Sequence, residues 1–360
     1  MTRKEYLLEQ REKGRRLFGV FPAHYPKEIL WAWDIVPAEI WDPPLDHMDA
    51  GGHLQPYICS VVKSGLELIL RGKCDFLDGF LFPHTCDSIQ NMSSVVHDYL
   101  GPKLPCYFFY HPKEPYSIHA RDYYLSQLRS LISSLEKAFG PVDQDKLNRA
   151  VEWGKQISEK VRRLYDLQAQ GALGTGSEEF YRVLRLGEYL FPDDYLARLD
   201  DLLTRSESVS AAGGQGGVVL SGVLPNPSEL LAVLDSLGAR VGGDDFLALS
   251  RRLVPWKEVE SMDDPLDALT ARYFALPPCS TKGSSIEKRL SYLSDLIEKS
   301  GARGVIFWQV KYCEPELFDV PMLSEELKKK GVKVLVFDTD LNEGLTGQLT
   351  TRLEAFLEML

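Results

Sequence analysis

Gly79-Phe80-Leu81-Phe82-Pro83-His84-Thr85-Cys86-Asp87-Ser88-Ile89-Gln90-Asn91 reads as a strand, a loop and the start of a helix. Gly79 to Phe82 is a short apolar run that fits a buried strand. Pro83 stops it, because proline has no N–H to give to a ladder. Cys86 falls in the loop, and Asp87 or Ser88 can cap the helix that follows. A cysteine in this place meets the unpaired N–H groups and the dipole of a helix N-terminus. Both favour a thiolate and any anionic cluster it binds.

A second stretch repeats the plan. Gly304-Val305-Ile306-Phe307-Trp308 is a strand and Lys311-Tyr312-Cys313-Glu314-Pro315 a loop. Pro321 to Lys330 is then expected as a helix, and Val332 to Phe337 as the next strand. The first copy continues likewise, through Val95 to Leu100, to a strand over Pro105 to Phe109. Each half therefore places a cysteine beyond the carboxyl end of a strand, where open α/β sheets bind ligands.

Working outward, Phe18-Gly19-Val20-Phe21 is a strand, Pro26 to Trp33 a helix opened by proline, and Ile35 to Trp41 the next strand. That is a βαβ unit. Asp42 to Gln55 carries Pro43, Pro44, Gly51 and Gly52 and reads as loop. Val61 to Arg71 is a helix, so Cys59 also stands at a helix start. Such alternation implies mainly parallel sheets covered on both faces. The expected class is α/β, with two Rossmann-like (flavodoxin-like) domains over 1–140 and 213–360. A helical bridge over 141–212 joins them. Its main helix, near Asp145 to Leu167, carries Leu147, Val151, Gly154, Ile157, Val161 and Leu164 at steps of three and four, an apolar stripe for packing. Ser208 to Gly217 is a glycine-rich connector that lacks both phosphate-loop patterns. Ala239-Arg240-Val241 is a strand ending in Gly242-Gly243-Asp244-Asp245. The two aspartates read as a solvated turn or, as the alternative, as metal or substrate groups.

The 360 residues carry a net charge of −11, with 44% hydrophobic and 26% charged residues. That composition is globular, and the acidity argues against nucleic-acid or anionic-membrane surfaces. No apolar run nears the ~20 residues of a membrane span. The start, Met1-Thr2-Arg3-Lys4-Glu5-Tyr6, is a charged helix rather than a signal peptide. The expected setting is the cytoplasm. There the six cysteines, Cys59, Cys74, Cys86, Cys106, Cys279 and Cys313, are not expected as disulfides. None forms a C-x-x-C pair. Two readings stay open: six small buried hydrophobes, or three thiolates, Cys59, Cys86 and Cys313, facing each other across a domain cleft. The second arrangement suits a soft multi-iron centre with one iron left open to substrate or water.

Several motifs resemble one family: Phe18 to Pro22 with Tyr25 to Leu30, Leu54 to Ser60, Asp75 to Pro83 ending in Cys86-Asp87, Lys311 to Pro315, and the closing Gly347 to Phe356. It is the 2-hydroxyacyl-CoA dehydratase / benzoyl-CoA reductase family, and the likeness is to its smaller cluster-bearing subunit of beta or C type. The resemblance implies a [4Fe-4S] cluster on Cys59, Cys86 and Cys313, a homologous second cluster-bearing subunit, and an ATP-dependent iron–sulfur activator. It implies an oxygen-sensitive enzyme doing ketyl-radical chemistry on a CoA thioester, either loss of a 2-hydroxyl or reduction of a benzoyl-type ring. The alternative role is a supporting or electron-relay subunit whose partner carries the active site. Homodimeric double-cubane relatives carry extra cysteine-proline pairs, which this chain lacks. Cys279, after Pro277-Pro278, has no motif support as a ligand. His84, two residues before Cys86, is the candidate proton relay, or else bonds a backbone carbonyl.

Overall fold

A computed structural model describes residues 1–45, 50–101, 103–210, 217–254, 262 and 264–360. In chain order the strands are β1 (Arg16–Val20), β2 (Ile35–Glu39), β3 (Gly79–Pro83), β4 (Cys106–Phe109), β5 (Val218–Gly222), β6 (Val241–Phe246), β7 (Gly304–Val310) and β8 (Lys333–Thr339). The helices before the second sheet are α1 (Arg3–Glu12), α2 (Lys27–Trp31), α3 (Ser60–Leu70), α4 (Asp87–Ser94), α5 (Ala120–Phe139), α6 (Gln144–Gln170), α7 (Ser177–Arg185) and α8 (Pro192–Ser206). Those after its first strand are α9 (Glu229–Ser236), α10 (Pro265–Ala275), α11 (Ile286–Ser300), α12 (Glu314–Lys329) and α13 (Gly347–Leu357).

Each sheet has four parallel strands, in the orders β2-β1-β3-β4 and β6-β5-β7-β8. Parallel strands covered on both faces read as continuous apolar runs, and β2, β3, β5 and β7 are buried at every position. The edge strands β4 and β8 alternate buried with more exposed positions instead. Pro83 ends β3 from within the strand rather than just beyond it. It is the strand's last residue, in register with Phe109, where its missing N–H costs little.

The chain divides into two compact units. The first takes Met1–Ser158, Leu186–Leu196 and Val254–Leu276, and the second takes Glu159–Arg185, Ala197–Leu253 and Pro277–Leu360. The division falls inside α6, within the stretch read from the sequence as a bridge over 141–212. The apolar stripe of α6 is shared between the two cores: Leu147 is buried in the first, Val161 and Leu164 in the second. In the first unit Phe18, Leu81 and Phe109 of the sheet pack with Tyr124 and Leu128 of α5 and Tyr273 of α10. In the second, Val219, Val305 and Phe307 pack with Leu293 of α11 and Leu323 and Leu327 of α12.

Two further expectations are corrected. The last long helix begins at Glu314, with Pro315 in its first turn, and runs through Pro321 rather than starting there. Proline suits a first turn because the N–H it lacks would be unpaired there anyway. Asp244 and Asp245 do not form a solvated turn: both lie in β6 with 1% exposure. The glycines at 213, 214 and 216 of the expected connector lie outside the described residues. Among the described residues no helix is long and apolar enough to cross a membrane.

Candidate functional site

In the first unit the strand order reverses between β1 and β3, which makes their carboxyl ends the place where such sheets accept ligands. Cys86 sits there, three residues beyond the end of β3, as the N-cap of α4. Cys59 is the N-cap of α3. Gly65 lets α3 lie directly on Phe21, since a Cβ there would stand 2.4 Å from that ring. Neither cysteine makes a side-chain capping bond of the usual kind. The N–H groups of Val61 and Val62 point to Cys59 and those of Ser88 and Ile89 to Cys86, and they favour charged sulfur. Burial outweighs them in the metal-free chain. Burial first, and then a charge on Cys86, pushes the Cys59 thiol up to about 12. Burial also raises Cys86, which is half-buried, against those N–H groups and the cation of Lys113. The two sulfurs are therefore electrostatic neighbours.

Thr85 holds this turn. Its hydroxyl accepts from the Ala23 N–H and donates to the Ala23 carbonyl, both at 2.9 Å, and so bridges the exits of β1 and β3. Lys113 Nζ donates to the Thr85 carbonyl at 3.2 Å. The His84 N–H donates to the Phe109 carbonyl, 2.8 Å away. Its ring stacks edge-on against Tyr110, and Nε2 is 3.7 Å from Asp87. The expected ring bond to a backbone carbonyl is not found among the described residues. Burial, then Lys113, lowers the His84 pKa, with Asp87 opposing. The Tyr25 and Lys27 of the sequence motif have a structural job: both bind the buried carboxylate of Glu39 at the end of β2, at 2.8 and 2.7 Å.

The second unit repeats the placement. Cys313 lies three residues beyond the end of β7, as the N-cap of α12, half-buried. Tyr312 before it takes the left-handed conformation, φ 62°, which costs a non-glycine residue about 1–3 kcal/mol and marks a turn held by its surroundings. Behind the turn lies a buried charge network that the sequence did not reveal. Arg251 binds Asp245 through two nitrogens, at 2.6 and 2.8 Å, and Glu316 at 2.5 Å. Arg289 reaches Asp245 at 3.3 Å, Glu316 at 3.4 Å and Asp319 at 2.7 Å. Burial disfavours the Glu316 carboxylate, but the two guanidiniums outweigh it and hold the group well below the usual range. Cys279 belongs to this network: fully buried, it lies 3.8 Å from Arg251 Nη1 and 3.0 Å from the Thr281 hydroxyl.

Cys59 and Cys86 thus cap two helices of one unit that lie against each other, and Cys313 lies in the other unit. Among the described residues no three His, Cys, Asp or Glu side chains converge as metal ligands would. Cys74 and Cys106 are different in kind. Burial alone pushes Cys106 up to about 11, and mainly burial pushes Cys74 to about 12; neither caps a helix. Sequence reading missed Thr85, Lys113, Arg251, Arg289 and Glu316. A Glu at the third position of a helix after a capping Cys was the available sign for Glu316, since that position ordinarily reaches back to the cap.

A profile of the family "2-hydroxyglutaryl-CoA dehydratase, D-component" matches residues 22–360. The chain is 25% identical to the (R)-phenyllactyl-CoA dehydratase beta subunit of Clostridium sporogenes, covering 99% of this chain and 95% of that protein. It is 25% identical to the C-type subunit of benzoyl-CoA reductase from Thauera aromatica, over 93% of this chain and 88% of that one. It is 24% identical to the (R)-2-hydroxyglutaryl-CoA dehydratase beta subunit of Acidaminococcus fermentans, over 99% and 96%. With two parallel sheets, cysteine-capped helices at their carboxyl ends and a profile match across nearly its whole length, the chain belongs to the 2-hydroxyglutaryl-CoA dehydratase D-component family.

Proposed function

We propose that the chain is the iron–sulfur subunit of an ATP-activated, oxygen-sensitive enzyme that carries out one-electron chemistry on a CoA thioester. The reaction is dehydration of a 2-hydroxyacyl-CoA or reduction of a benzoyl-type ring, the two activities named among its relatives. The observation that carries the reading is the pair of neighbouring helix-capping cysteines at the carboxyl edge of the first sheet, Cys59 and Cys86. Cys313 takes the same offset beyond the third strand of the second sheet.

The donor set fits a [4Fe-4S] cluster: soft thiols, each at a helix start whose N–H groups and dipole favour negative charge. Cys59, Cys86 and Cys313 would hold it. When bound, such a cluster supplies single electrons at low potential. The chain's own part is to deprotonate and fix the sulfurs. Binding releases the thiol protons that burial retains in the metal-free chain, so loading is linked to proton release. Thr85 locks the Cys86 turn to the exit of β1, and the rings of Phe21, just after β1, and of Phe80 and Phe82 in β3 pack on one another away from water. A homologous cluster-bearing subunit and an ATP-hydrolysing iron–sulfur activator complete the assembly in this reading. That the relatives are themselves named as subunits of larger enzymes supports a partner chain.

The test is anaerobic: iron and acid-labile sulfide content, with EPR of the dithionite-reduced protein, for wild type and Cys86→Ala. The expected result is about four irons per wild-type chain, lost or disturbed in the variant. A wild-type chain that takes up no iron on reconstitution with its partner contradicts the reading.

A further inference from the structure

The Cys313 turn is held from behind in an unusual way. Cys313 caps α12, so Glu316 is the third residue of that helix. A glutamate at this position ordinarily bends back to the N–H of the cap residue. Here the Cys313 N–H donates instead to the Val310 carbonyl at 3.0 Å. The Glu316 side chain turns inward, 1% exposed, to Arg251, Arg289 and the Ser280 hydroxyl, the last at 2.6 Å. Its backbone N–H meanwhile donates to the Cys313 carbonyl at 3.1 Å. One residue thus touches both the cysteine's own peptide and a rigid ionic lattice. That lattice is anchored on three other elements: Asp245 on β6, Arg251 in the short turn after it, and Arg289 on α11.

We propose that Glu316, clamped between Arg251 and Arg289, is the positioning residue that fixes how Cys313 presents its sulfur. The inference rests on the cluster reading above and adds a residue to it. Asp245 supplies the control. From β6 it binds the same two arginines and the Ser221 hydroxyl of β5, whereas Glu316 is itself part of the helix that Cys313 caps. A general loss of the network affects both carboxylates, whereas a positioning role belongs to Glu316 alone. Glu316→Gln keeps the shape but removes the charge that seats the helix start.

The experiment uses the full chain, reconstituted anaerobically with its partner, as wild type, Glu316→Gln, Glu316→Asp and Asp245→Asn. Three quantities are read: the thermal midpoint, the rate at which a chelator strips iron, and the EPR line shape of the reduced protein. Outer-shell changes typically weaken metal binding by about 10–100-fold. Glu316→Gln is therefore expected to lose iron about 10-fold faster or more and to shift the EPR line shape. Asp245→Asn, with a similarly lowered midpoint, should stay within about 2-fold of wild type. Should Glu316→Gln fail to fold, Glu316→Asp keeps the charge while shortening the tether, and the same acceleration is expected of it. Equal acceleration in the Glu316 and Asp245 variants, or wild-type behaviour in a folded Glu316 variant, overturns the proposal. A wild-type chain with no iron at all overturns the cluster reading and this inference with it, and is recognised by the untouched protein alone.

Discussion

The turns that carry Cys86 and Cys313 leave the third strand of their sheets at the same offset, yet different chemistry holds them. The Cys86 turn is pinned chiefly by two neutral bonds, the Thr85 hydroxyl giving and taking one each with Ala23, with a single cation, Lys113, on the Thr85 carbonyl. The Cys313 turn is backed by two arginines and two carboxylates, all 0–1% exposed. The first unit spends its second helix start on another cysteine, Cys59. The second caps α11 with Ser285, whose hydroxyl accepts from the Lys288 N–H. A repeated backbone plan therefore fixes where a ligand stands, while the surrounding side chains decide how rigidly it is held.

The comparison breaks most visibly at Arg251. Arg251→Met leaves Asp245 and Glu316 sharing Arg289, and removing one partner of a buried ion pair typically costs about 3–5 kcal/mol. A urea unfolding curve for the metal-free chain should show a loss of that order. A loss under about 1 kcal/mol would mean that the network relaxes and does not brace the turn. The neutral pin should cost less. Thr85→Val removes both bonds to Ala23 and leaves its buried N–H and carbonyl unmet, about 1–3 kcal/mol by the same measurement. If Thr85→Val proved the costlier of the two, the contrast between the turns would be reversed.

The smallest effect concerns pH. Burial raises the Asp244 pKa, against hydrogen bonds from Tyr165 and the Phe246 N–H. A carboxyl raised in the folded state binds more protons there than in the unfolded chain. Its contribution to stability is greatest below the ordinary carboxylate pKa of about 4 and falls as pH rises through the elevated value. The thermal midpoint of wild type relative to Asp244→Asn should therefore decline as pH rises from about 4 and then level off. A difference that grows with pH would show that Asp244 is held charged.

The strand–loop–helix punctuation placed Cys59 and Cys86 at helix starts and Cys313 in the loop beyond a strand, since prolines and polar caps mark element ends locally. The parallel α/β class followed from the same alternation. What was not legible was decided by distant partners. Gly242-Gly243-Asp244-Asp245 has the look of an exposed turn, and β6 continues through it only because Arg251, Arg289 and Tyr165 meet the two carboxylates. The start of α12 was masked by Pro321, the stronger local stop signal, although Pro315 sits where proline is welcome. The middle helices read as a bridge because the stripe of α6 is continuous, and the division between the two units falls along that helix.

The most direct test of the central claim is iron content across the six cysteines, each replaced singly and reconstituted anaerobically with the partner chain. The account predicts that Cys59→Ala, Cys86→Ala and Cys313→Ala lose iron or alter its EPR signal, while Cys74→Ala, Cys106→Ala and Cys279→Ser retain both. Iron loss that follows Cys74, Cys106 or Cys279 instead, or wild-type iron in Cys86→Ala, would contradict it.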